Sequence, residues 1–337
     1  MPITTGQKNR EAQLIDRLVQ KIPSIGHAGN RAGVRLGIGD DATVLRPSAK
    51  TEWALSCDFT LENVHFRDAT HSPLSIGYRC LARATSDIAA MGARPRYFLL
   101  ALALPASKTG KWLGLFASGM SRAAREFNMR LIGGDISRTA SVAISITVLG
   151  EMSAGLAIPR SGAKPGHLIY LTGTLGAAQL GLEILLRGLA GRPSLKKYLR
   201  PHLCPRIPIA FAQVLARRRI PSAMMDISDG LSTDLARLCA SSGVGARIWS
   251  DKLPNIRIPA GLTGQNLDPL RLALHGGEDY GLLFTIPPKS APLLRSIAGK
   301  RTRVTHIGEI TRTRKVLLVH PDGRESPLPS KGWDPFR

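Results

Sequence analysis

Apolar residues along the chain follow two periods, one typical of strands and the other of amphipathic helices. Segment 141–151 (SVAISITVLGE) places apolar residues at every second position from Val142 to Val148, which predicts a strand with one buried face. The same criteria predict helices within 10–22, 74–92, 112–127, 177–189 and 228–243, and strands at 51–58, 96–105, 129–135, 141–151 and 168–173. Because strands and helices interleave, we expect an α/β or α+β fold.

A Gly- and Pro-rich stretch at 160–167 (RSGAKPGH) separates the two halves of the chain. At about 150 residues per domain, 337 residues are enough for two domains. We expect the boundary after residue 152, with domains at 1–152 and 153–337.

The chain is strongly basic, with 46 Lys and Arg against 24 Asp and Glu and a formal net charge of +22. This charge raises the possibility of nucleic-acid binding. However, the basic residues are scattered, aromatic residues make up only 5%, and no zinc-finger or RNA-recognition signature is present. The pattern favours a dispersed basic surface, with nucleic-acid binding as the weaker alternative.

The four cysteines form no CxxC pair and no zinc-ligand spacing. We interpret them as reduced thiols of a cytoplasmic protein. The N-terminal region continues into an amphipathic helix at 10–22, a pattern different from a signal peptide. No apolar run approaches the ~18–20 residues that cross a bilayer, so no membrane partner is expected.

Several acidic residues follow glycines, stand at predicted strand ends, or bracket the turn just before a predicted helix. They are Asp40, Asp41, Asp58, Asp135, Asp226, Asp229, Glu278 and Asp279. In α/β folds, ligands bind outside the carboxyl ends of strands, where the chain turns. Converging carboxylates without His or Cys at ligand spacing suit Mg²⁺, which proteins share with substrate phosphates. A polar turn is the alternative for the adjacent pair Asp40 and Asp41. The chain has neither a Walker A sequence nor the protein-kinase signatures, so a nucleotide would need another architecture.

Asp87 stands on an otherwise small and apolar side of the helix predicted at 74–92. It shares that side with Cys80, Ala84 and Met91 at helical spacing. An inward carboxylate is costly unless a cation or strong donors compensate it. A nearby arginine is the alternative to a bound metal ion.

Seven ordered motifs together resemble the thiamine-monophosphate kinase family, within the aminoimidazole ribonucleotide synthetase-like superfamily. They are GIGDDATVL, SCDFTLENVHF, ATSDIAAMGARP, LIGGD, RSGAKPG, DISDGL and GGEDYGLLFT. The resemblance implies a two-domain fold whose N-terminal sheets form a homodimer interface. It also implies ATP-dependent phosphorylation of thiamine monophosphate to thiamine diphosphate, the last step of thiamine diphosphate biosynthesis, assisted by several Mg²⁺ ions. The N-terminal domain would bind metal and ATP, and the C-terminal domain would complete the ATP and substrate site.

Site residues carry over from the family position by position, and none of them is a side-chain nucleophile. The resemblance implies metal ligands at Asp41, Ser56, Cys57, Asp58, Asp87, Asp135, Asp226 and Asp229, ATP contacts at Gly134, Asp135, Arg160 and Ser228, and substrate contacts at His65, Glu278 and Trp333. Cys57 stands where the family usually has Thr, which is harmless if that position uses its backbone carbonyl. Asp229 could also cap the helix that follows it.

Two other ATP-using branches of the superfamily are alternatives. The hydrogenase maturation dehydratase uses a C-terminal cysteine, whereas the last cysteine here is Cys239. Selenophosphate synthetase uses Cys or Sec in a glycine-rich N-terminal segment, whereas the first cysteine here is Cys57. Both alternatives are therefore disfavoured.

Overall fold

A computed structural model describes the chain at residues 10–25, 33–36, 38, 44–45, 48–262, 264–298 and 302–336. The chain divides into two compact units. The N-terminal unit takes the residues up to Ile88 together with Pro95–Ala154, and the C-terminal unit takes Ala89–Arg94 and Gly155–Arg337. The main break follows Ala154, two residues after the boundary proposed from the sequence.

The N-terminal unit combines a mixed sheet with helices. Its elements are α1 (Arg10–Lys21), β1 (Val34–Leu36), β2 (Val44–Leu45), β3 (Thr51–Leu61), α2 (Pro73–Ala90), β4 (Arg94–Leu104), a 3-10 turn (Ala106–Lys108), α3 (Lys111–Glu126), β5 (Arg130–Arg138) and β6 (Ala143–Ser153). Two predicted strands were too short, because β3 and β5 each continue three residues past the predicted end. Backbone pairing explains the extension: β3 pairs with β6 as far as Leu61, and β5 pairs with β4 as far as Arg138.

The four-stranded sheet has the order β3-β6-β4-β5 and two unlike faces. Ile144, Ile146 and Val148 of β6 point to a buried face. The alternate residues of β3 point to the other face, where Leu55 is 65% and Phe59 60% exposed. We call the first the covered face and the second the open face.

Helices α2 and α3 pack closely against each other. A Cβ at Gly77 would lie 2.0 Å from the carbonyl oxygen of Phe116, and one at Gly119 would lie 1.9 Å from that of Leu74. Side chains at these positions would push the helices apart. The glycines therefore allow the close approach that holds α2, and with it Asp87, in place.

The C-terminal unit holds a larger sheet surrounded by helices. Its elements are β7 (Leu168–Thr172), α4 (Ala177–Leu186), α5 (Lys196–Leu203), α6 (Ile209–Arg217), β8 (Ala223–Asp226), α7 (Leu231–Ser242), β9 (Gly245–Trp249), α8 (Pro269–His275), β10 (Leu282–Ile286), α9 (Ala291–Ile297), β11 (Val304–Thr311), β12 (Val316–Val319) and β13 (Glu325–Pro327), with 3-10 turns at Pro193–Leu195, Ser250–Lys252, Ala260–Leu262 and Pro288–Ser290. The helix within 228–243 ends at Gly243, as predicted, with a left-handed φ of 68°.

The seven strands have the order β13-β12-β9-β11-β7-β10-β8, and neighbours are antiparallel except β9 and β12. Because β7 and β8 both run antiparallel to β10, their carboxyl ends and the start of β10 lie at the same edge of the sheet. This edge carries Thr172, Asp226 and Gly281. Apolar clusters cover both faces of the sheet, one around Leu171 and Leu235 and another around Phe284.

None of the helices within the described ranges is long and apolar enough to cross a membrane.

Candidate active site

The first predicted metal ligand, Asp41, lies outside the described residues, as does Asp40. The predicted residues that the structure does place fall into one group in the N-terminal unit and another in the C-terminal unit.

Ser56, Asp58 and Asp87 form an oxygen-rich group on the covered face of the N-terminal sheet. Ser56 and Asp58 are alternate residues of β3 and pair with buried positions of β6, so both side chains point to that face. The Ser56 hydroxyl donates to Oδ2 of Asp87 across 2.5 Å. Across the ranges covered by the structure, no Lys or Arg pairs with Asp87. The described residues therefore provide no arginine partner for Asp87.

Asp135 lies on the opposite face of the same sheet. Its register partner is Ala101 of β4, an exposed residue, whereas the neighbouring pair Ile136 and Leu102 is buried. Two strands separate β5 from β3, which places Asp135 about 14 Å from Asp58 at the usual strand spacing. Both residues also lie inside their strands, so their prediction as strand-end acids was wrong. These two carboxylates of one chain therefore cannot share a single ion.

Gly134 is required where it stands. Its φ is 154°, and a Cβ there would lie 2.0 Å from the carbonyl oxygen of Leu100. Any side chain would break the pairing of β5 with β4. The backbone beside Asp135 is therefore bare and exposed.

The Cys57 side chain points away from Asp87. It lies on the open face, with Sγ 3.3 Å from Oγ of Ser145 and 3.5 Å from Oγ1 of Thr147. This follows from strand alternation, since Ser56 and Asp58 on either side point to the covered face. The thiol therefore does not join that group, and a metal contact at Cys57 would require its backbone carbonyl.

His65 is held in the turn that follows β3. Its Nδ1 accepts from the backbone N–H of Leu61 at 3.0 Å, and its carbonyl accepts from Nη1 of Arg79 at 3.1 Å. Because Nδ1 is an acceptor, the neutral ring carries its proton on Nε2. The turn therefore fixes both the orientation and the tautomer of the imidazole.

Glu62, which the sequence analysis did not single out, anchors the same turn. Its Oε2 accepts from the backbone N–H of Val142 at 2.7 Å, and its Oε1 accepts from Lys108 Nζ at 2.7 Å. The acid of the ENVHF motif thus ties the end of β3 to the start of β6. Its role is structural.

In the C-terminal unit, three predicted segments meet through backbone hydrogen bonds. The N–H of Glu278 donates to the carbonyl of Ser228 at 2.7 Å, and the N–H of Trp333 donates to that of Asp229 at 2.9 Å. The last contact depends on Gly332, where a Cβ would lie 2.0 Å from the Asp229 carbonyl oxygen. The structure therefore brings together Ser228, Asp229, Glu278 and Trp333.

Asp226 ends β8, a strand that the sequence analysis did not predict, and is 2% exposed. Its register partner is Leu282 at the start of β10. Its carboxylate therefore lies at the strand-end edge next to the DISDG turn.

Asp229 forms an ion pair with Arg237, which lies near the middle of α7. The same guanidinium donates to Oδ1 of Asp234 at 3.2 Å. Asp234 also accepts from the backbone N–H groups of Asp229 and Gly230 at 3.0 and 3.1 Å. Burial, together with the charge of Asp229, raises the pKa of Asp234 to about 7. Gly230 is the N-cap of α7 and no side chain caps it, so the interpretation of Asp229 as the cap was wrong.

Glu278 has an unusual backbone and a buried partner. Its φ is 65°, in the left-handed region that costs a non-glycine residue about 1–3 kcal/mol. Its Oε2 lies 3.1 Å from Nδ1 of His202, a side chain of α5 that is 2% exposed. Nothing in the local sequence pairs these residues, which are 76 positions apart.

Asp279 fixes the start of α4. Its two carboxylate oxygens accept from the N–H groups of Gly176 and Ala178 at 2.6 and 3.0 Å. Burial raises the pKa of this carboxyl to about 7, although these hydrogen bonds oppose the shift. The residue beside Glu278 is therefore fully occupied in holding a helix.

The backbone of Arg160 does not lie beside Ser228 and Asp229. Its carbonyl accepts from Oγ of Ser242 at 3.2 Å, near the end of α7, whereas Ser228 and Asp229 precede the start of that helix. The 12 residues of α7 span about 18 Å. The exposed side chain of Arg160 extends from this position beside Ser242.

The described ranges contain no group of three or more His, Cys, Asp or Glu side chains arranged to hold a metal ion. All the predicted side-chain ligands apart from Cys57 are oxygen donors, the type that Mg²⁺ prefers. The chemistry of the donors therefore fits Mg²⁺, while the described residues alone do not form a complete site.

Comparisons with known proteins agree over most of the chain. Residues 39–152 match the family model of the AIR synthase related protein, N-terminal domain, and residues 164–320 match that of its C-terminal domain. Thiamine-monophosphate kinase of Salmonella typhimurium is 36% identical over 332 residues, covering 97% of this chain and 98% of that protein.

Solved structures give the same result. Thiamine-monophosphate kinase of Stenotrophomonas maltophilia K279a has a TM-score of 0.79 and 32% identity, covering 93% of this chain and 96% of the other. A ThiL protein complexed with AMPPCP and TMP has a TM-score of 0.76 and 30% identity, covering 85% of this chain and 88% of the other. The chain belongs to the AIR synthase related family and, within it, to the thiamine-monophosphate kinases.

Proposed function

We propose that this protein transfers the γ-phosphoryl group of ATP to thiamine monophosphate, giving thiamine diphosphate and ADP. The observation that carries the proposal is the meeting of Ser228, Asp229, Glu278 and Trp333 in a chain whose relative binds AMPPCP and TMP together. The reaction is the last step of thiamine diphosphate biosynthesis.

A phosphate acceptor explains the lack of a side-chain nucleophile among the assigned residues. An oxygen of the acceptor phosphate, ionised at neutral pH, attacks the γ-phosphorus while the bond to the bridging oxygen of ADP breaks. Positioning and charge stabilisation supply nearly all the catalysis in such transfers. The protein must therefore hold two polyanions in line.

On this proposal, Ser228, Arg160, Gly134 and Asp135 contact ATP. The planar guanidinium of Arg160 suits a phosphate, and bare backbone at Gly134 permits close approach of the nucleotide. His65, Glu278 and Trp333 contact the acceptor. Trp333 is 48% exposed, and its indole ring is of the kind that stacks on a heteroaromatic ring.

The oxygen donors support Mg²⁺ as the metal. Ser56, Asp58, Asp87 and Asp135 would hold ions from the N-terminal unit, with Asp41 as a further predicted ligand, and Asp226 and Asp229 would hold ions from the C-terminal unit. When bound, Mg²⁺ screens the repulsion between the two substrates and stabilises the transferring group. In this proposal, Arg237 neutralises Asp229 in the absence of metal.

We further propose a homodimer that forms through the open faces of the N-terminal sheets. Leu55 and Phe59 are large apolar side chains on that face, one on either side of Cys57, and both are more than half exposed. An exposed apolar patch on a sheet is typical of an interaction surface. Asp135 lies on the same face, so such a dimer would bring it toward the partner subunit.

The cytoplasm is the proposed location, since all four cysteines are free thiols. The domain roles follow from the same assignment: 1–152 binds metal and ATP and dimerises, and 153–337 completes the ATP and substrate site.

The test is an assay of the purified protein with ATP, Mg²⁺ and thiamine monophosphate, with thiamine diphosphate quantified by chromatography. We expect product from the monophosphate and none from free thiamine, which lacks the acceptor phosphate. Absence of product from folded protein at saturating Mg²⁺ would overturn the proposal, and efficient turnover of thiamine would overturn the choice of acceptor. Retention on DNA that falls steeply with salt would instead favour nucleic-acid binding.

A further inference from the structure

A cleft of about 750 Å³ opens in the C-terminal unit between α5, the segment leading to α6, and the ends of β7 and β10. Its volume is within the ~300–1,000 Å³ of small-molecule sites. None of the residues proposed to contact ATP, thiamine monophosphate or metal lines it. The nearest assigned residue in sequence is Glu278, beside the lining residue Asp279.

Four cations line the cleft from three separate places. Lys197 and Arg200 are one turn apart on α5, Arg206 lies between α5 and α6, and Arg303 precedes β11. All four residues are exposed, and within the described ranges none forms an ion pair. Lys197 Nζ lies over the ring of Tyr198, 5.1 Å from its centroid.

The single acid in the lining does not offset these charges. Both carboxylate oxygens of Asp279 accept hydrogen bonds from the N–H groups at the start of α4. Four like charges around one concave surface repel one another, and low-dielectric walls focus their field. A bound anion would relieve that repulsion.

The remaining walls are largely apolar. Ile207, Ile209, Phe211 and Ile256 line the cleft. Such walls favour the organic part of a ligand rather than an inorganic ion alone. Because a single phosphate ester carries about two negative charges at most, four cations match a diphosphate or triphosphate better.

We propose that this cleft is a second anion site, lined by none of the described residues assigned to phosphoryl transfer although it borders the sheet edge that carries Asp226, for a small molecule that carries a diphosphate or triphosphate group. The site does not depend on the proposed activity. Both the diphosphate product and the nucleotides carry the required group.

Two double variants test the site. Arg200→Gln/Arg206→Gln removes two cleft cations, and Arg312→Gln/Arg314→Gln removes the same charge from the exposed turn between β11 and β12. Inorganic pyrophosphate is titrated by calorimetry into each protein, without Mg²⁺, ATP or thiamine monophosphate. We expect the cleft variant to raise Kd at least about tenfold and the control to change it less than about twofold. Lys197→Gln/Arg303→Gln serves as a second cleft variant if the first unfolds.

An equal pyrophosphate Kd for the cleft variants and the wild type would overturn the site. Equal weakening in the control variant would also overturn it, because the affinity would then depend on net charge alone. Displacement of pyrophosphate by thiamine diphosphate or by ADP supports a diphosphate ester as the natural ligand, whereas displacement by neither would overturn that class. The KM for thiamine monophosphate should stay unchanged in the cleft variants. A parallel rise in that KM would show that the anion is the acceptor itself, so the site would not be separate.

Discussion

At the scale of single residues, the contact between Ser56 and Asp87 decides how Asp87 should be understood. This half-buried carboxylate accepts a hydrogen bond from a hydroxyl, and among the described residues no cation pairs with it to compensate its charge. Asp58 projects from the same face of β3 and adds to the local negative charge. A carboxylate in this setting is better explained as a cation ligand than as a contribution to folding stability.

We therefore expect Asp87→Asn to reduce activity by at least about 100-fold, because metal and charge stabilisation of the transfer are worth several kcal/mol. The amide oxygen still accepts from Ser56, so the melting temperature without Mg²⁺ and ATP should hold or rise. The matched control is Asp322→Asn at an exposed turn, where the carboxylate forms a 3.8 Å ion pair with Arg324. Product formation and thermal melting measure the two effects.

A stability loss in Asp87→Asn that is equal with and without Mg²⁺–ATP would assign Asp87 to the fold. The metal assignment would then be wrong.

Residue types and motif spacing were enough to select candidate site residues, whose roles stay predictions, but partners and orientations needed the fold. The Ser56–Asp87 bond joins residues 31 positions apart, and the Asp279–Gly176 bond joins residues 103 apart. No local pattern contains such pairs. Strand alternation could have separated Cys57 from Ser56 and Asp58, because successive side chains of a strand point to opposite faces.

At the scale of elements, periodicity predicted the long strands and helices of the N-terminal half. Strand ends were missed because pairing with a neighbour sets them: the residues past Asp58 and Asp135 stay in the sheet through β6 and β4. In the C-terminal half, α5 is short and contains Pro201, so its pattern is weak. That helix supplies His202, the partner of Glu278.

Asp279 makes the start of α4 sensitive to pH. Its pKa is raised from 3.8 to about 7 by burial, so the folded state binds its proton more tightly than the unfolded state. The resulting stability is fully present below pH 3.8 and is lost as the pH rises through about 7. We expect the free energy of unfolding of the wild type to fall over this window by an amount on the order of 1–4 kcal/mol.

Urea unfolding at several pH values between 4 and 8 measures this dependence, with Asp279→Asn as the comparison. The variant loses one good acceptor for the N–H groups of α4 and should be less stable at low pH, but with a flatter pH profile. Parallel profiles for the two proteins would show that the carboxyl at Asp279 does not titrate in this range.

At the scale of the whole molecule, most of the proposed metal ligands are acidic side chains in a strongly basic chain. Ser56, Asp58 and Asp87 lie on the covered face of the N-terminal sheet, while Asp135 lies on the open face. One chain therefore separates carboxylates that the family resemblance assigns as metal ligands. The proposed assembly of two chains through the open face is a physical means of bringing them together.

The open face gives the last prediction. Leu55→Asp/Phe59→Asp places two charges where the proposed dimer buries two apolar side chains, and desolvating unpaired carboxylates costs several kcal/mol each. On the monomer both positions are exposed, at 65% and 60%, so the fold itself should tolerate the change. We expect a wild-type mass of two chains by light scattering, a variant mass of one chain with an unchanged circular dichroism spectrum, and loss of activity together with the dimer. Leu186→Asp, at a 50% exposed position of α4 in the C-terminal unit, should keep the wild-type mass. A variant that stays dimeric would place the interface elsewhere, and a monomeric, active wild type would show that one chain is sufficient for the reaction.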